Sequence, residues 1–267
     1  MKIKGLQKLT LLDYPGKTAC TVFLAGCNYR CPFCHNAGLV VEFDQEEISY
    51  ETLFAFLEKR KNVLEGVCIT GGEPTLNNDL PQLLAKIKEI GYSVKLDTNG
   101  TNPQMVKQLV EQGLVDYVAM DAKNGLESYP QTVGVKQLDV LPIMQTATYL
   151  MQNHVDYEFR TTVVDNFHTH ESIESMGKWL KGAKEFGVAK GLGSIAKVAT
   201  YAQLGITFVS SGVDEYGKTG SIGKGIIGGG IETLKSIGRL EGMTLFAPLG
   251  PAGIVTGLVL GSINIGV

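Results

Sequence analysis

Three cysteines lie close together in the segment GCNYRCPFCHN, at positions Cys27, Cys31 and Cys34. Their spacing is Cys-x3-Cys-x2-Cys, and the next cysteine in the chain is Cys68. A closed structural zinc site has four ligands, whereas three thiolates suit three irons of a 4Fe–4S cubane and leave the fourth iron open. The spacing therefore predicts a cluster with an open position. Zinc, with His35 as a fourth ligand, is the alternative.

Further polar residues follow short apolar segments, at the points where predicted strands end. In architectures of parallel strands joined by helices, functional residues collect at the carboxyl ends of the strands. We therefore expect these residues to form one polar site beside the cysteines. Its predicted members are Gly71, Gly72, Glu73, Asp97, Asn99, Asp121, Lys123 and Arg160.

Each of these segments also has an interpretation without a ligand. Gly-Gly-Glu-Pro is a common turn sequence, and Asp97 to Gly100 could form an Asx turn before the next helix. Asp121 and Lys123 could be a solvated pair on a loop. A lone charge in an apolar strand is costly unless it is paired. Arg160 therefore either binds a carboxylate or forms an internal salt bridge with Asp97 or Asp121.

Apolar strand segments alternate with amphipathic helical segments up to about residue 184. This alternation predicts five βα units with short connections, and hence a parallel sheet of the α/β class. One helix is expected to begin at an Asn102 cap with Pro103 in its first turn, and another to end at Gly91. His168 and His170 are expected at the surface near a helix cap rather than at a metal.

Composition narrows the classes of protein that the chain can belong to. Its 267 residues are 44% hydrophobic with a net charge of −3, which allows a sizeable core and gives no basic surface for nucleic acid. The N-terminal segment MKIKGLQKLTLLDYPGK lacks the apolar stretch of a secretory signal. Clustered cysteines suit a reducing compartment, so we expect a cytoplasmic protein in which Cys20 and Cys68 are buried structural thiols.

The segment CNYRCPFC resembles the cluster motif of radical S-adenosylmethionine (SAM) enzymes, in which an aromatic residue such as Phe33 precedes the last cysteine. Over about residues 1–184 the chain is similar to the activating proteins of anaerobic ribonucleoside-triphosphate reductase, relatives of the pyruvate formate-lyase activases. This similarity rests on the order and spacing of GLQKLTLLDYPGKTACTVFLAGCNYRCPFCHN, ITGGEPT, LDTNG, MDAK and FRTTVV. The resemblance implies a partial (β/α)6 TIM-like barrel of radical SAM type.

The resemblance also implies two cofactors, one 4Fe–4S cluster on the three cysteines and SAM. The Gly-Gly-Glu-Pro segment would hold the amino group of SAM, and Arg160 would bind its carboxylate. His35 would orient the cofactor or the cluster by hydrogen bonds. The residues implied to lie against SAM or the cluster are Phe33, His35, Gly71, Gly72, Glu73, Asp97, Asn99, Asp121, Lys123 and Arg160.

In this family, electron transfer from the reduced cluster cleaves SAM and gives a 5′-deoxyadenosyl radical, which abstracts hydrogen from a glycine of a partner enzyme. The resemblance thus implies a glycyl-radical enzyme as partner, with anaerobic ribonucleotide reductase favoured, and an electron donor such as flavodoxin or ferredoxin. Two other functions stay open. One is a radical SAM enzyme acting on another peptide or small molecule. The other is an inactive or membrane-associated fusion with an incomplete barrel.

The last 83 residues do not resemble this family. Residues 185–267 contain 19 of the 33 glycines, only 11 charged residues, and neither cysteine nor histidine. We therefore expect a radical SAM core at 1–184 and a Gly-rich apolar region of uncertain fold at 185–267. The family's sixth strand is not evident, and LGITFVS (204–210) could replace it. The uncharged segment 243–267 fits a buried segment, a membrane-associating tail or a fused tail equally well.

Replacement of Cys31 tests the cluster assignment. We expect Cys31→Ala to lose iron and the cubane spectrum after anaerobic reconstitution, because two thiolates cannot hold the cluster in place of three. The measurement is the iron count and visible spectrum beside wild type, with Cys20→Ala as a control that removes a thiol outside the motif. Full iron with a normal spectrum in Cys31→Ala, or stoichiometric zinc in freshly purified wild type, would contradict the assignment.

Overall fold

The computed structural model describes residues 1–41, 46–181 and 183, and beyond these only the strand segments 186–190, 207–209, 243–245 and 258–260. Most of the Gly-rich region therefore lies outside the described residues. This includes the greater part of 204–210 and of 243–267, for which a replacement strand and a membrane-associating tail were considered. No described helix is long and apolar enough to cross a membrane.

One sheet of eight strands forms the centre of the fold, with the strands in chain order. The first two strands pair antiparallel, and every later neighbour pairs parallel. The α/β class and the mostly parallel sheet are thus confirmed. The strands are β1 Ile3–Thr10, β2 Ala19–Leu24, β3 Gly66–Gly71, β4 Ser93–Thr98, β5 Tyr117–Asp121, β6 Asp156–Val163, β7 Phe186–Lys190 and β8 Thr207–Val209.

Helices connect the parallel strands from β2 to β7, and two of them have the predicted ends. The Asn102 side chain accepts a hydrogen bond from the Met105 amide at 3.2 Å, and Gly91 ends its helix with φ +108°. Separate from the main sheet, β9 Met243–Leu245 pairs antiparallel with β10 Leu258–Leu260. The helices are α1 Ala37–Val41, α2 Tyr50–Arg60, α3 Leu80–Ile90, α4 Pro103–Glu111, α5 Tyr129–Thr132, α6 Leu141–Met151 and α7 His170–Trp179.

The two faces of the sheet differ in polarity. On β4, Val94 and Leu96 are fully buried and belong to the core that α2 and α3 share with the sheet. The residues that alternate with them, Lys95 and Asp97, lie on the opposite face, because successive side chains of a strand point to opposite sides. The apolar face therefore packs against helices, and the inner face of the partial barrel carries the polar residues.

The sixth parallel strand is β7, which lies beside β6 with Phe186 opposite Phe159. The alternative that 204–210 replaces this strand is wrong, because β8 lies one position further out, against β7. The segment HESIESMGKWLKGAKEF predicts a helix over residues 170–186, whereas α7 ends at Trp179. The sheet therefore continues across the boundary that we expected between residues 184 and 185.

Truncation tests the contribution of the two outer strands. A chain that ends at residue 184 lacks β7 and β8, so β6 becomes an open parallel edge, and we expect this chain to aggregate. A chain that ends at residue 215 retains both strands, and we expect it to stay monodisperse by size-exclusion chromatography. Equal behaviour of the two chains would show that β7 and β8 add nothing to the stability of the sheet.

Candidate functional site

The three motif cysteines lie on the loop that follows β2, and backbone hydrogen bonds hold this loop from several sides. The Gly26 amide donates to the Leu39 carbonyl at 3.0 Å, and the Gly26 carbonyl accepts from the Glu73 amide at 2.7 Å. Further along, the Arg30 amide donates to the Val133 carbonyl at 2.9 Å. The loop is thus fixed to the segments after β3 and α5 and to α1.

The cysteine thiols are half-buried and close enough to influence one another. Burial raises the pKa of the Cys31 thiol to about 11, and the neighbouring cysteines add to this effect while Lys123 opposes it. Burial likewise raises the pKa of Cys27, although the Tyr29 amide, which donates to its sulfur at 3.4 Å, acts in the opposite direction. Binding of iron as thiolates must therefore release protons.

Among the described residues, no group of three His, Cys, Asp or Glu side chains is arranged to hold a single metal ion. A 4Fe–4S cubane differs from a mononuclear site, because each thiolate binds a different iron and the sulfurs need not converge on one point. Three thiols on one loop fit such a cluster by their chemistry. His35, the considered fourth ligand for zinc, is exposed at the end of the loop.

The glycine pair after β3 allows backbone segments to approach each other. A Cβ atom on Gly71, which has φ +120°, would clash with the backbone of Leu24 at the end of β2. A Cβ atom on Gly72 would clash with the Gly26 carbonyl oxygen of the cysteine loop. The close approach of β2 and the cysteine loop therefore requires glycine at both positions, and the sequence alone did not reveal these neighbours.

Glu73 is 1% exposed, and its carboxylate links the ends of β3 and β4. Its Oε1 accepts from the Thr75 amide at 3.1 Å, the Thr75 hydroxyl at 2.5 Å and the Thr98 hydroxyl at 2.8 Å. Its Oε2 accepts from the Asn99 amide at 2.6 Å. Burial raises the pKa of Glu73, and these donors oppose the increase. The carboxylate is thus largely occupied by the protein itself.

Asn99 joins the end of β4 to the cysteine loop. Its side-chain nitrogen, Nδ2, donates to the Asn28 side-chain oxygen at 2.8 Å and lies 3.9 Å from the Cys27 sulfur. Its side-chain oxygen accepts from the Thr101 amide at 3.0 Å, which is the Asx turn considered above. Asn28, which no sequence pattern indicated, completes the link by donating to the Thr101 hydroxyl at 2.9 Å.

Arg160 on β6 bridges two carboxylates from neighbouring strands. Its Nη2 lies 3.3 Å from Asp97 Oδ2 and 3.2 Å from Asp121 Oδ1. Asp97 also contacts Lys95 Nζ at 2.6 Å, and Asp121 contacts Lys123 Nζ at 2.9 Å. The internal salt bridge considered for Arg160 is present with both aspartates, and Asp121 and Lys123 form part of this network rather than a separate loop pair.

The network shifts the pKa of both aspartates. Burial acts to raise the pKa of Asp121, but Lys123 and Arg160 outweigh it and lower that pKa to about 2. The pKa of Asp97 is also lowered, because Arg160 and Lys95 together outweigh burial. Both carboxylates are therefore ionised across the physiological range of pH.

Phe33 of the cysteine loop packs against the segment between β6 and α7. Its ring centroid lies 5.7 Å from that of Phe167 and 6.5 Å from that of His168. The prediction that His168 lies at the surface is wrong, since it is 4% exposed. Its Nε2 lies 2.7 Å from the Lys123 carbonyl oxygen, so the ring links this segment to the end of β5. Burial lowers the pKa of His168.

Three site residues were not selected from the sequence: Lys95, Glu158 and His168. Lys95 and Glu158 stand two residues before Asp97 and Arg160. The residues that alternate with them include the buried pairs Val94 and Leu96 on β4, and Tyr157 and Phe159 on β6. The sequence signal for Lys95 and Glu158 was a second charged residue two positions away in the same strand. Strand periodicity places two such residues on one face, so they are expected to share a site. His168 gave no comparable signal.

The profile of the Radical SAM superfamily matches residues 21–180, which include the cysteine loop and every strand end described above. This chain belongs to the Radical SAM superfamily. The predicted cofactors, a 4Fe–4S cluster and SAM, are those that the superfamily uses, and the fold prediction agrees with this assignment.

Two relatives come from Methanocaldococcus jannaschii and bear the names of candidate glycyl-radical enzyme activating enzymes. MJ1227 is 34% identical over 194 residues, which cover 70% of this chain and 78% of that protein. MJ1632 is 27% identical over 180 residues, which cover 65% and 63%. The structure of SuiB from Streptococcus suis bound to SAM is 16% identical, with a TM-score of 0.52 over 72% of this chain and 51% of that chain, and it shows a shared fold.

The low pKa of Asp121 predicts a loss of stability in acid. The stabilisation is present above the ordinary pKa of 3.8 and disappears as the pH falls toward about 2. Between pH 5 and pH 3, we expect the free energy of unfolding of wild type to fall by up to about 1 kcal/mol more than that of Asp121→Asn. Urea unfolding at each pH measures this difference, and equal decreases in both proteins would contradict the assigned pairing.

Proposed function

We propose that this protein is a radical SAM activase, which uses SAM to generate a glycyl radical on a partner enzyme. The observation that carries the proposal is that the cysteine loop, Glu73, Asn99 and Asp121 lie at the carboxyl ends of β2 to β5, with Arg160 of β6 in register with Asp121. The similarity to MJ1227 over 78% of that protein supports the choice of activase among radical SAM functions.

The three motif cysteines would hold the cluster, and the residues around them would fix its place. When bound, the cluster and SAM supply the electron transfer and carbon–sulfur cleavage that give a 5′-deoxyadenosyl radical. The protein contributes the orientation of the thiols through the bonds of Gly26 and Arg30, and it limits access of water by the packing of Phe33 on Phe167.

SAM would lie above the charged network on the inner face. The closest contacts of Arg160 with Asp97 and Asp121 run through Nε and Nη2, so the donors of Nη1 remain for a further anion such as the SAM carboxylate. The exposed carboxylate edge of Asp121 is the proposed partner for ribose hydroxyls. Asn99, which is bonded to Asn28, Thr101 and Glu73, would act by fixing the cysteine loop beside SAM. Backbone carbonyls after Gly71 are the proposed acceptors for the amino group, since the Glu73 carboxylate is already occupied.

Lys123 would support the site in two ways. Its ammonium pairs with Asp121 at 2.9 Å, and its positive charge acts to lower the pKa of Cys27 and Cys31. A cation near the thiols favours their ionised form, which is the form that binds iron. Neither His35 nor any other side chain is required here as a general base, because the reaction transfers a hydrogen atom rather than a proton.

The partner that we propose is an anaerobic ribonucleotide reductase, with flavodoxin or ferredoxin as the electron donor. This proposal is supported by a sequence similarity to the activating proteins of that reductase. The similar segments begin with GLQKLTLLDYPGK and end with FRTTVV. The Gly-rich region at 185–267 is proposed to lie outside the chemistry, since every residue assigned to the site precedes residue 169.

The decisive experiment is the formation of a glycyl radical. We expect the reconstituted, reduced wild type to produce a glycyl-radical signal by electron paramagnetic resonance when it is mixed with SAM and an anaerobic ribonucleotide reductase. Cys31→Ala is the control and should give no signal. Cleavage of SAM to 5′-deoxyadenosine without a glycyl radical on any glycyl-radical enzyme tested would indicate a radical SAM enzyme with a different substrate.

A further inference from the structure

Charged side chains from β4 and β6 meet across the strand between them. Lys95 and Asp97 share the inner face of β4, and Glu158 and Arg160 share that of β6. On β5, Ala119 is in register with both Asp97 and Glu158. Because Ala119 is small, long side chains extend over it, and Lys95 Nζ reaches Glu158 Oε1 at 3.7 Å. Charges two strands apart therefore belong to one network.

Lys95 is the most deeply buried charge of this network. Its side chain is 1% exposed, its Nζ lies 2.6 Å from Asp97 Oδ1, and the Tyr117 ring centroid is 5.9 Å away. A buried ammonium is strongly unfavourable unless carboxylates compensate it. The Lys95 side chain has almost no exposed surface, so a direct contact with SAM is not available to it.

The network is balanced, and its two ends differ in exposure. It contains three cations, Lys95, Lys123 and Arg160, and three carboxylates, Asp97, Asp121 and Glu158. Asp97 is shared by Lys95 and Arg160. The Lys95 end is buried, whereas the side chains of Arg160 and Asp121 are 32% and 31% exposed. Removal of the buried cation would leave one carboxylate in excess, and Arg160 is the cation in contact with Asp97 that could compensate it.

We propose that Lys95 is a positioning residue for the carboxylate of SAM. By pairing with Asp97 and Glu158, it leaves the guanidinium of Arg160 with positive charge and donors directed to the open side of the site. This inference rests on the proposed function, in which Arg160 receives that carboxylate. Without Lys95, the negative charges of Asp97 and Glu158 would be compensated by Arg160. The attraction of Arg160 for an anionic ligand group would then be weaker.

Two ligands that differ only in the carboxylate test the inference. Affinities of SAM and of decarboxylated SAM are measured by anaerobic calorimetry on the full chain with its cluster reconstituted and without reductant. We expect Lys95→Met to weaken SAM by about tenfold, the scale of one charge-assisted hydrogen bond, and to change decarboxylated SAM by less than about twofold. Lys107→Met, which removes a lysine from an exposed ion pair on α4, should change neither affinity.

A second variant, which is expected to strengthen SAM binding, tests the inference even if Lys95→Met fails to fold. Glu158→Gln removes one carboxylate from the balance and leaves Lys95 to Asp97, so Arg160 should attract an anion more strongly. We expect about threefold tighter binding of SAM and no gain for decarboxylated SAM. An improvement of this kind cannot result from a damaged fold, so Glu158→Gln decides the question if Lys95→Met does not retain its cluster.

The outcomes separate this inference from the proposed function. Equal weakening of both ligands by Lys95→Met, or an unchanged SAM affinity, would overturn the role of Lys95. So would a Glu158→Gln variant that binds SAM no more tightly than wild type. Arg160→Leu serves as the reference, and we expect it to weaken SAM but not decarboxylated SAM. If Arg160→Leu shows no such discrimination, the assignment of Arg160 in the proposed function is wrong as well.

Discussion

Compensation of charge on the inner face of the sheet is the constraint on which the arrangement of this site depends. An isolated ion in this position would be unfavourable by several kcal/mol, so each charged side chain requires an opposite charge within contact distance. Arg160 meets this requirement with aspartates from two strands, and Asp97 meets it with two cations. A shift of one residue in the register of β4 would place Lys95 and Asp97 against the helices. The ion pairs of Asp97 with Lys95 and Arg160 would then lose their place on the inner face. The charges therefore also specify how the strands align.

Much of this arrangement follows from periodicity that is visible in the sequence. Apolar segments that alternate with amphipathic helices predict parallel strands, and the polar residues at the strand ends then converge without further information. Asp97, Asp121 and Arg160 meet for this reason. Periodicity does not identify the nearest neighbour of each residue, so it did not predict the contact of Gly72 with Gly26 or the hydrogen bonds of Glu73 with Thr98 and Asn99. These contacts are with backbone and side chains of other strand ends, which are distant in the sequence.

Other features were missed because their local patterns are weak or compete with stronger ones. β7 begins six residues after α7, and glycines on both sides of it obscure a strand of five residues. β1 is the antiparallel edge strand and has a bulged register with β2, so its side chains do not alternate cleanly. Burial of His168 depends on a hydrogen bond to the Lys123 carbonyl, which only the tertiary structure brings near.

Backbone hydrogen bonds, rather than the cysteine side chains, hold the motif loop in place. In small zinc domains the metal orders the chain, and the free energy of binding is spent on folding. Here the bonds of Gly26 and Arg30, together with the close approach of Gly72, order the loop through the same cooperative structure that forms the sheet. The positions of the three thiols are therefore tied to the cooperative stability of the sheet, so a substitution that weakens the sheet far from the cysteines also disturbs their spacing.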